Sequence, residues 1–139
     1  MNFGSAHVDH PHAITYRRAA DAFRRKDLET LGQTIHENIT WHWPGQSWIS
    51  REIQGRDALL VFLREIIART NQTFVLEDRY ISGTDHHLVA VQRFGATHNG
   101  ETKVFEAVSV MRFEGGRQIE RWFHLLDPEG FDAFFSKFE

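Results

Sequence analysis

The chain has 139 residues, 41% apolar and 25% charged, enough for one hydrophobic core and too few for two comfortable domains. It has no cysteine, which excludes disulfides, a thiolate nucleophile and any cysteine-ligated zinc or iron–sulfur site. Sixteen Lys and Arg against 19 Asp and Glu leave a net charge of −3 with the signs interspersed, so no basic stripe follows a phosphate backbone and nucleic acid is not an expected partner. The strongly apolar runs 58–63 and 107–111 fall far short of the ~20 residues of a membrane span. The first dozen residues carry three histidines and no apolar stretch, so no secretory leader is expected and the expected location is cytoplasmic.

Residues 1–139 read as a single domain, with 1–9 as a mobile tail. Asp9 or His10 can cap a first helix that takes Pro11 in its first turn, with Tyr16, Ala19, Ala20 and Phe23 at helical spacing. A short second helix follows from Asp27, with Leu28, Leu31 and Ile35 inside. Residues 39–43, Ile-Thr-Trp-His-Trp, read as a strand stopped by Pro44-Gly45. A third helix spans about Arg56 to Arg69 and buries Leu59, Phe62, Leu63, Ile66 and Ile67. The pattern then switches to period two, with strands at 72–82, 86–98, 101–114 and 117–126. Asn99-Gly100 and Gly115-Gly116 are the pairs that two-residue primed turns demand. After Pro128 a closing helix carries Phe131, Phe134, Phe135 and Phe138 on one stripe.

Two-residue turns predict a register. Across the first hairpin Leu88 meets Met111, Gln92 meets Ala107 and Arg93 meets Glu106, a favourable cross-strand ion pair. Across the second, Met111 meets Glu120, Ser109 meets Trp122 and Ala107 meets His124. One face then carries Gln92, Phe94, Ser109, Met111, Trp122 and His124. The other carries Val89, Val91, Val108, Val110 and Phe123. Both faces are apolar while the helices can cover one, so a homodimer through the outer face is expected.

This order of elements, with Phe23-Arg24-Arg25-Lys26-Asp27-Leu28, Trp41-His42-Trp43-Pro44-Gly45, Gly55-Arg56-Asp57-Ala58 and the run from Met111 through Gly115-Gly116 to Ile119, resembles the nuclear-transport-factor-two-like superfamily. The closer match is its SnoaL-like polyketide-cyclase branch. The resemblance spans nearly the whole chain and implies an α+β cone: three N-terminal helices against a strongly curved mixed or antiparallel sheet, with a short C-terminal helix. It implies no single function, because the cone hosts isomerases, cyclases, dehydratases, epoxide hydrolases and binders. The general-base Asp of ketosteroid isomerase falls at Trp43, its proton-donating Asp at Ser109, and its helix-one Tyr at Ala19, one turn from Tyr16. That reaction by that mechanism is therefore not expected. The acid/base Asp of the SnoaL-like cyclases falls at His124 and their partner His at Ser109.

His124, Ser109 and Gln92 are accordingly the candidate catalytic residues: an imidazole able to move a proton near neutral pH, with two polar groups to orient a substrate oxygen. Tyr16, Trp41, Trp43, Phe62, Phe94, Met111 and Trp122 are the candidate substrate-binding residues, suited to a small apolar or aromatic molecule. Tyr16 could offer its phenol to an oxyanion, or merely anchor the helix. Trp48 reads as a lid or interface residue, and His42 points away from the pocket by strand alternation. His7, His10 and His12 with Asp9 invite a metal reading, but no partner residue orients them. The adjacent pair His86-His87 cannot share an ion in a regular strand. No metal and no cofactor are expected, and no phosphate loop or GxSxG elbow occurs. These features suit a cofactor-independent isomerase, cyclase or dehydratase acting on a cyclic or carbonyl-containing substrate. The alternatives are a non-catalytic ligand binder of the same fold and a dimerisation module. A cavity of ~300 Å³ or more would favour the first two, and a filled interior the last.

Overall fold

A computed structural model describes residues 10–139; the expected tail, His7 and Asp9 lie outside the described residues. Helix α1 (Pro11–Arg24) is capped by His10, whose ring nitrogen accepts from the His12 N–H, and Pro11 lies in its first turn. Helix α2 (Leu28–Gln33) begins at Asp27, which accepts from the Thr30 N–H. Ile35 is not in this helix as expected. The Thr34 hydroxyl donates back to the Leu31 carbonyl and closes the last turn, and Ile35 opens strand β1 (Ile35–His42). Strand β2 (Glu52–Gln54) is too short to produce a period-two signal. Helix α3 (Arg56–Arg69) lies at its expected position.

Strand β3 (Val75–Gly83) starts later than expected because Asn71 and Gln72 hold left-handed φ of 52° and 64°, which no strand accommodates. Strands β4 (His87–His98), β5 (Glu101–Glu114) and β6 (Arg117–Leu125) follow, then helix α4 (Pro128–Phe135) and a 3₁₀ turn at Ser136–Phe138. Both hairpin turns have positive φ at their two central residues, 49° and 80° at Asn99-Gly100 and 59° and 76° at Gly115-Gly116. The six strands form one curved mixed sheet in the order β2-β1-β6-β5-β4-β3, with β1 and β6 parallel and every other pair antiparallel.

The β4–β5 register is the predicted one along its whole length, from His87 opposite Arg112 to His98 opposite Glu101, and Arg93 reaches Glu106 at 3.5 Å. The β5–β6 register is not. It begins as expected, Glu114 opposite Arg117 and Phe113 opposite Gln118, and then Ile119 drops out of the pairing and Arg112 stands opposite Glu120. One extra residue on one strand exchanges the two faces for everything beyond it. Arg121, Phe123 and Leu125 therefore turn into the core, while Glu120, Trp122 and His124 turn outward.

The helices cover the inner face. Phe131, Phe134 and Phe135 of α4 are buried against Phe105 and Trp43, with Phe138 only partly buried at the end of the stripe. On the other flank Ala13, Tyr16 and Ala20 of α1 pack over Leu88, Ala90, Met111 and Phe113.

Candidate functional site

Trp41 on β1 and Trp43, one residue past the strand's end rather than in it as expected, alternate with outward-facing His42, so both indoles enter the interior. Beside them β6 supplies Arg121, paired with Trp41 across the parallel ladder, and Phe123, whose ring centroid lies 4.2 Å from that of Trp43. Tyr16 of α1, Trp41, Trp43, Phe94, Gln118 and Arg121 form much of the wall of a cavity of about 50 Å³.

A chain of buried polar side chains runs up to this cavity from the β3 edge. The Tyr16 hydroxyl donates to Asp78 Oδ1 at 2.9 Å, and the Gln92 amide donates to the same oxygen at 2.8 Å and also to the Tyr16 hydroxyl. The Gln92 carbonyl accepts from the Ser109 hydroxyl and, at 2.9 Å, from Arg121 Nη2, which also donates to Ser109 Oγ at 3.2 Å. All four hydrogen-bonding valences of the Gln92 side chain are thereby used. The far oxygen of Asp78 accepts from Arg24 Nη2 at 3.3 Å. Burial pushes the Tyr16 phenol well above its usual range, with Asp78 adding to the rise and Arg121 opposing it, so the phenol is protonated at neutral pH.

The Arg121 guanidinium carbon lies 4.4 Å from the Phe123 centroid, 5.0 Å from Trp41 and 5.4 Å from Tyr16, an aromatic cage around a side chain that is 5% exposed. No carboxylate contacts this guanidinium among the described residues. Its Nε–H is buried without a hydrogen-bond partner, and so are the indole N–H groups of Trp41 and Trp43 and the side-chain carbonyl of Gln118. All four residues line the cavity. Unpaired polar atoms at this depth cost about 1–3 kcal/mol each.

Of the residues expected at the site, Tyr16, Trp41, Trp43 and Phe94 line the cavity. Gln92 and Ser109 are fully buried and reach it through Tyr16 and Arg121. The expected placement of His124 and Trp122 is corrected: the bulge at Ile119 puts both on the outer face, exposed, with Trp122 stacked on His42 at 5.7 Å. Met111 points inward but packs in the α1 cluster away from the cavity. Phe62 packs beneath the Arg51 guanidinium, 4.7 Å from its carbon, also away from the cavity. Trp48 is neither lid nor free surface. Its indole donates to the Phe135 carbonyl at 2.8 Å and carries Arg69 over its ring, tying the 43–51 loop to α4.

His42 bridges Glu120 at 2.8 Å and Glu52 at 3.2 Å on the outer face. His10 contacts Asp85 at 3.1 Å, and His12 contacts the Thr84 carbonyl while stacking on Phe113, so both fasten α1 to the β3–β4 turn. Sequence reasoning missed Arg121, because the bulge reversed its face, and Asp78. The signal for Asp78 was present: an Asp in mid-strand is a residue type that strands disfavour, and it shares a face with Leu76.

Comparison with known proteins agrees with this architecture. Bal32a, from a soil-derived mobile gene cassette, is 28% identical with a TM-score of 0.85, over 90% of this chain and 96% of that one. An NTF2-like protein of unknown function from Burkholderia pseudomallei is 20% identical with a TM-score of 0.77, over 91% and 98% of the two chains. TerC, co-crystallised with polyporic acid, is 16% identical with a TM-score of 0.74, over 83% and 91%. At these last two identities the likeness is one of fold. No curated protein sequence matches the chain. The SnoaL-like domain model matches residues 16–122, and this chain belongs to the SnoaL-like family.

Proposed function

We propose that this protein binds a small, largely apolar, cyclic or carbonyl-containing molecule in the cavity beside Arg121 and acts on it by cofactor-independent acid/base chemistry of the isomerase, cyclase or dehydratase type. The observation that carries the reading is the polar chain Asp78–Tyr16–Gln92–Ser109–Arg121 ending at an otherwise aromatic cavity. In that reading Tyr16, held protonated, turns its O–H from Asp78 to hydrogen-bond a developing oxyanion, and the Asp78 carboxylate, freed of that bond, accepts the proton the substrate gives up and returns it to the product. Gln92 and Ser109 hold the two ends of the chain in position. TerC, of the same fold, was crystallised with polyporic acid, which supports a cyclic ligand here.

The test is mass spectrometry of whatever co-purifies with the protein, followed by turnover assays on that compound. Activity lost in Tyr16→Phe, with binding retained, is the expected result. Full activity of Tyr16→Phe would overturn the catalytic assignment.

A second reading, binding without turnover, is favoured by one observation: both Asp78 oxygens are already engaged. The cavity of about 50 Å³ is smaller than the ~300 Å³ of an ordinary ligand pocket, which counts equally against both readings and for a dimerisation module unless the wall moves. A guest ring must therefore displace side chains at the cavity wall in either reading. The proposed partner on the outer sheet face is a second copy of the chain, supported by the exposure there of Val89, Val91 and Trp122.

A further inference from the structure

Arg121 carries a full positive charge into a site that does not neutralise it. Its hydrogen bonds go to the neutral oxygens of Gln92 and Ser109. The one carboxylate in the polar chain, Asp78, already contacts a second guanidinium, Arg24. Arg24 takes that anion, and Arg121, left without one, is the more deeply buried, with side-chain exposure of 42% at Arg24 and residue exposure of 5% at Arg121. A buried charge without a counter-charge is costly. The aromatic cage offsets part of that cost on the ring faces but offers nothing to the Nε–H in the guanidinium plane. A neutral carbonyl would satisfy that hydrogen bond and leave the charge uncompensated. An anion satisfies both.

We infer that the cavity is an anion site, with Arg121 and the indole N–H groups of Trp41 and Trp43 as its donors, and that the ligand is a small apolar carboxylate that enters head first. This deepens the proposed function and rests on the cavity being the ligand site.

The cavity accommodates the head, and the adjoining groove accommodates the body. Phe23, Phe74 and Leu76, all partly buried, line both the cavity and an outer groove of about 310 Å³ between α1 and the 70–75 connection. They form an apolar partition between the two spaces, with Phe74 at the end of a connection whose Asn71 and Gln72 already hold left-handed φ. Moving these side chains joins the two spaces into a site of ordinary ligand size. Arg24 and Lys26 stand on the rim of the groove, so an arriving anion meets positive charge before it meets the partition. The fourth unpaired group, the Gln118 amide, has an N–H pair as well as its carbonyl, and turned over it becomes a further donor to the same head group.

The experiment compares benzoate with benzamide, one ring bearing a charged or a neutral head, by calorimetry and by quenching of tryptophan fluorescence at pH 7. Benzoate is expected to bind at least tenfold more tightly and to quench, because Trp41 and Trp43 contact the head. Arg121→Gln is expected to abolish the preference by weakening benzoate at least tenfold more than benzamide, and Arg121→Lys to keep part of it. If Arg121→Gln does not fold, Trp43→Phe removes one donor and keeps a ring, and is expected to weaken benzoate severalfold more than benzamide. Equal affinity of the two probes overturns the anion assignment and leaves the cavity reading standing. Benzoate binding that is insensitive to both variants places the anion elsewhere and also overturns it. Failure of both probes to bind overturns the cavity reading along with it.

Discussion

Arg112 stands opposite Glu120, 3.4 Å from its carboxylate, where an unbroken hairpin would set Met111 against Glu120. That one-residue shift decides which of two chemistries faces the interior. With Ile119 outside the ladder, a guanidinium enters and an imidazole leaves. Deleting Ile119 removes the extra residue and leaves Arg112 opposite Glu120 and every pair beyond it unchanged, so Arg121, Phe123 and Leu125 should still face the interior. The expected outcome is a folded variant that keeps a cooperative thermal transition, read by circular dichroism. Loss of that transition would show that the sheet needs the bulge itself, beyond the register it sets.

The sequence made β4–β5 legible because an Asn-Gly turn, strict alternation and the Arg93–Glu106 pair all specify one register. The helices were legible from spacing and caps, and the cone from the family's segments. The second hairpin carries an equally clear turn at Gly115-Gly116, but nothing in the turn announces a bulge three residues on. The alternation from Gln118 onward is apolar on both faces, since Trp122 and Phe123 are equally good core residues, so patterning could not choose. Tyr16, Trp41, Trp43 and Phe94 come from elements whose phase was right and were readable as interior. Arg121 was not, because a buried arginine is the side chain that pattern arguments assign to solvent.

His124 is exposed on the outer face, so His124→Ala is expected to change stability by less than about 0.5 kcal/mol and to leave benzoate affinity unaltered. Calorimetry and thermal melts on the same preparation check both. A tenfold loss of affinity would return His124 to the site.

Tyr16 predicts an alkaline limit to stability. Its folded pKa is raised by burial above the unfolded value near 10, so above pH 10 the native state holds a proton that the unfolded chain releases. The stabilisation is complete below pH 10 and is lost as pH rises beyond it, by at most about 1.4 kcal/mol per pH unit. Urea denaturation between pH 8 and 11 should show this fall, and Tyr16→Phe should show a shallower one. Identical slopes would mean that the phenol ionises in place.

Phe134 of α4 is 2% exposed and meets Phe105, Phe135 and Phe138 at centroid distances of 5.5 to 5.9 Å. Phe134→Ala should cost about 3–5 kcal/mol, a fall in melting temperature of roughly 12–20 °C for a chain of this size. An unchanged transition would show that α4 does not dock on the cone.

Among the described residues nothing covers the outer face of the sheet. Val89 and Val91 are each 37% exposed and Trp122 is 38% exposed, and half-buried Val108 lies between Val91 and His124 at the centre of the face. Removing these groups from water is the available driving force for association, and a β-sheet face meeting its own copy needs no further element. Phe123, which an unbroken register would have added to this face, is in the core, so the patch is smaller and more polar than a simple hairpin implies, with Glu120 and His124 now on it. Sedimentation at micromolar concentration is expected to give a dimer. Val108→Glu is expected to give a folded monomer, because two carboxylates would be buried unpaired at the seam of a dimer whereas one carboxylate on a hydrated face costs little. A monomeric wild-type protein, or a Val108→Glu variant that stays dimeric, would place the contact elsewhere or remove it.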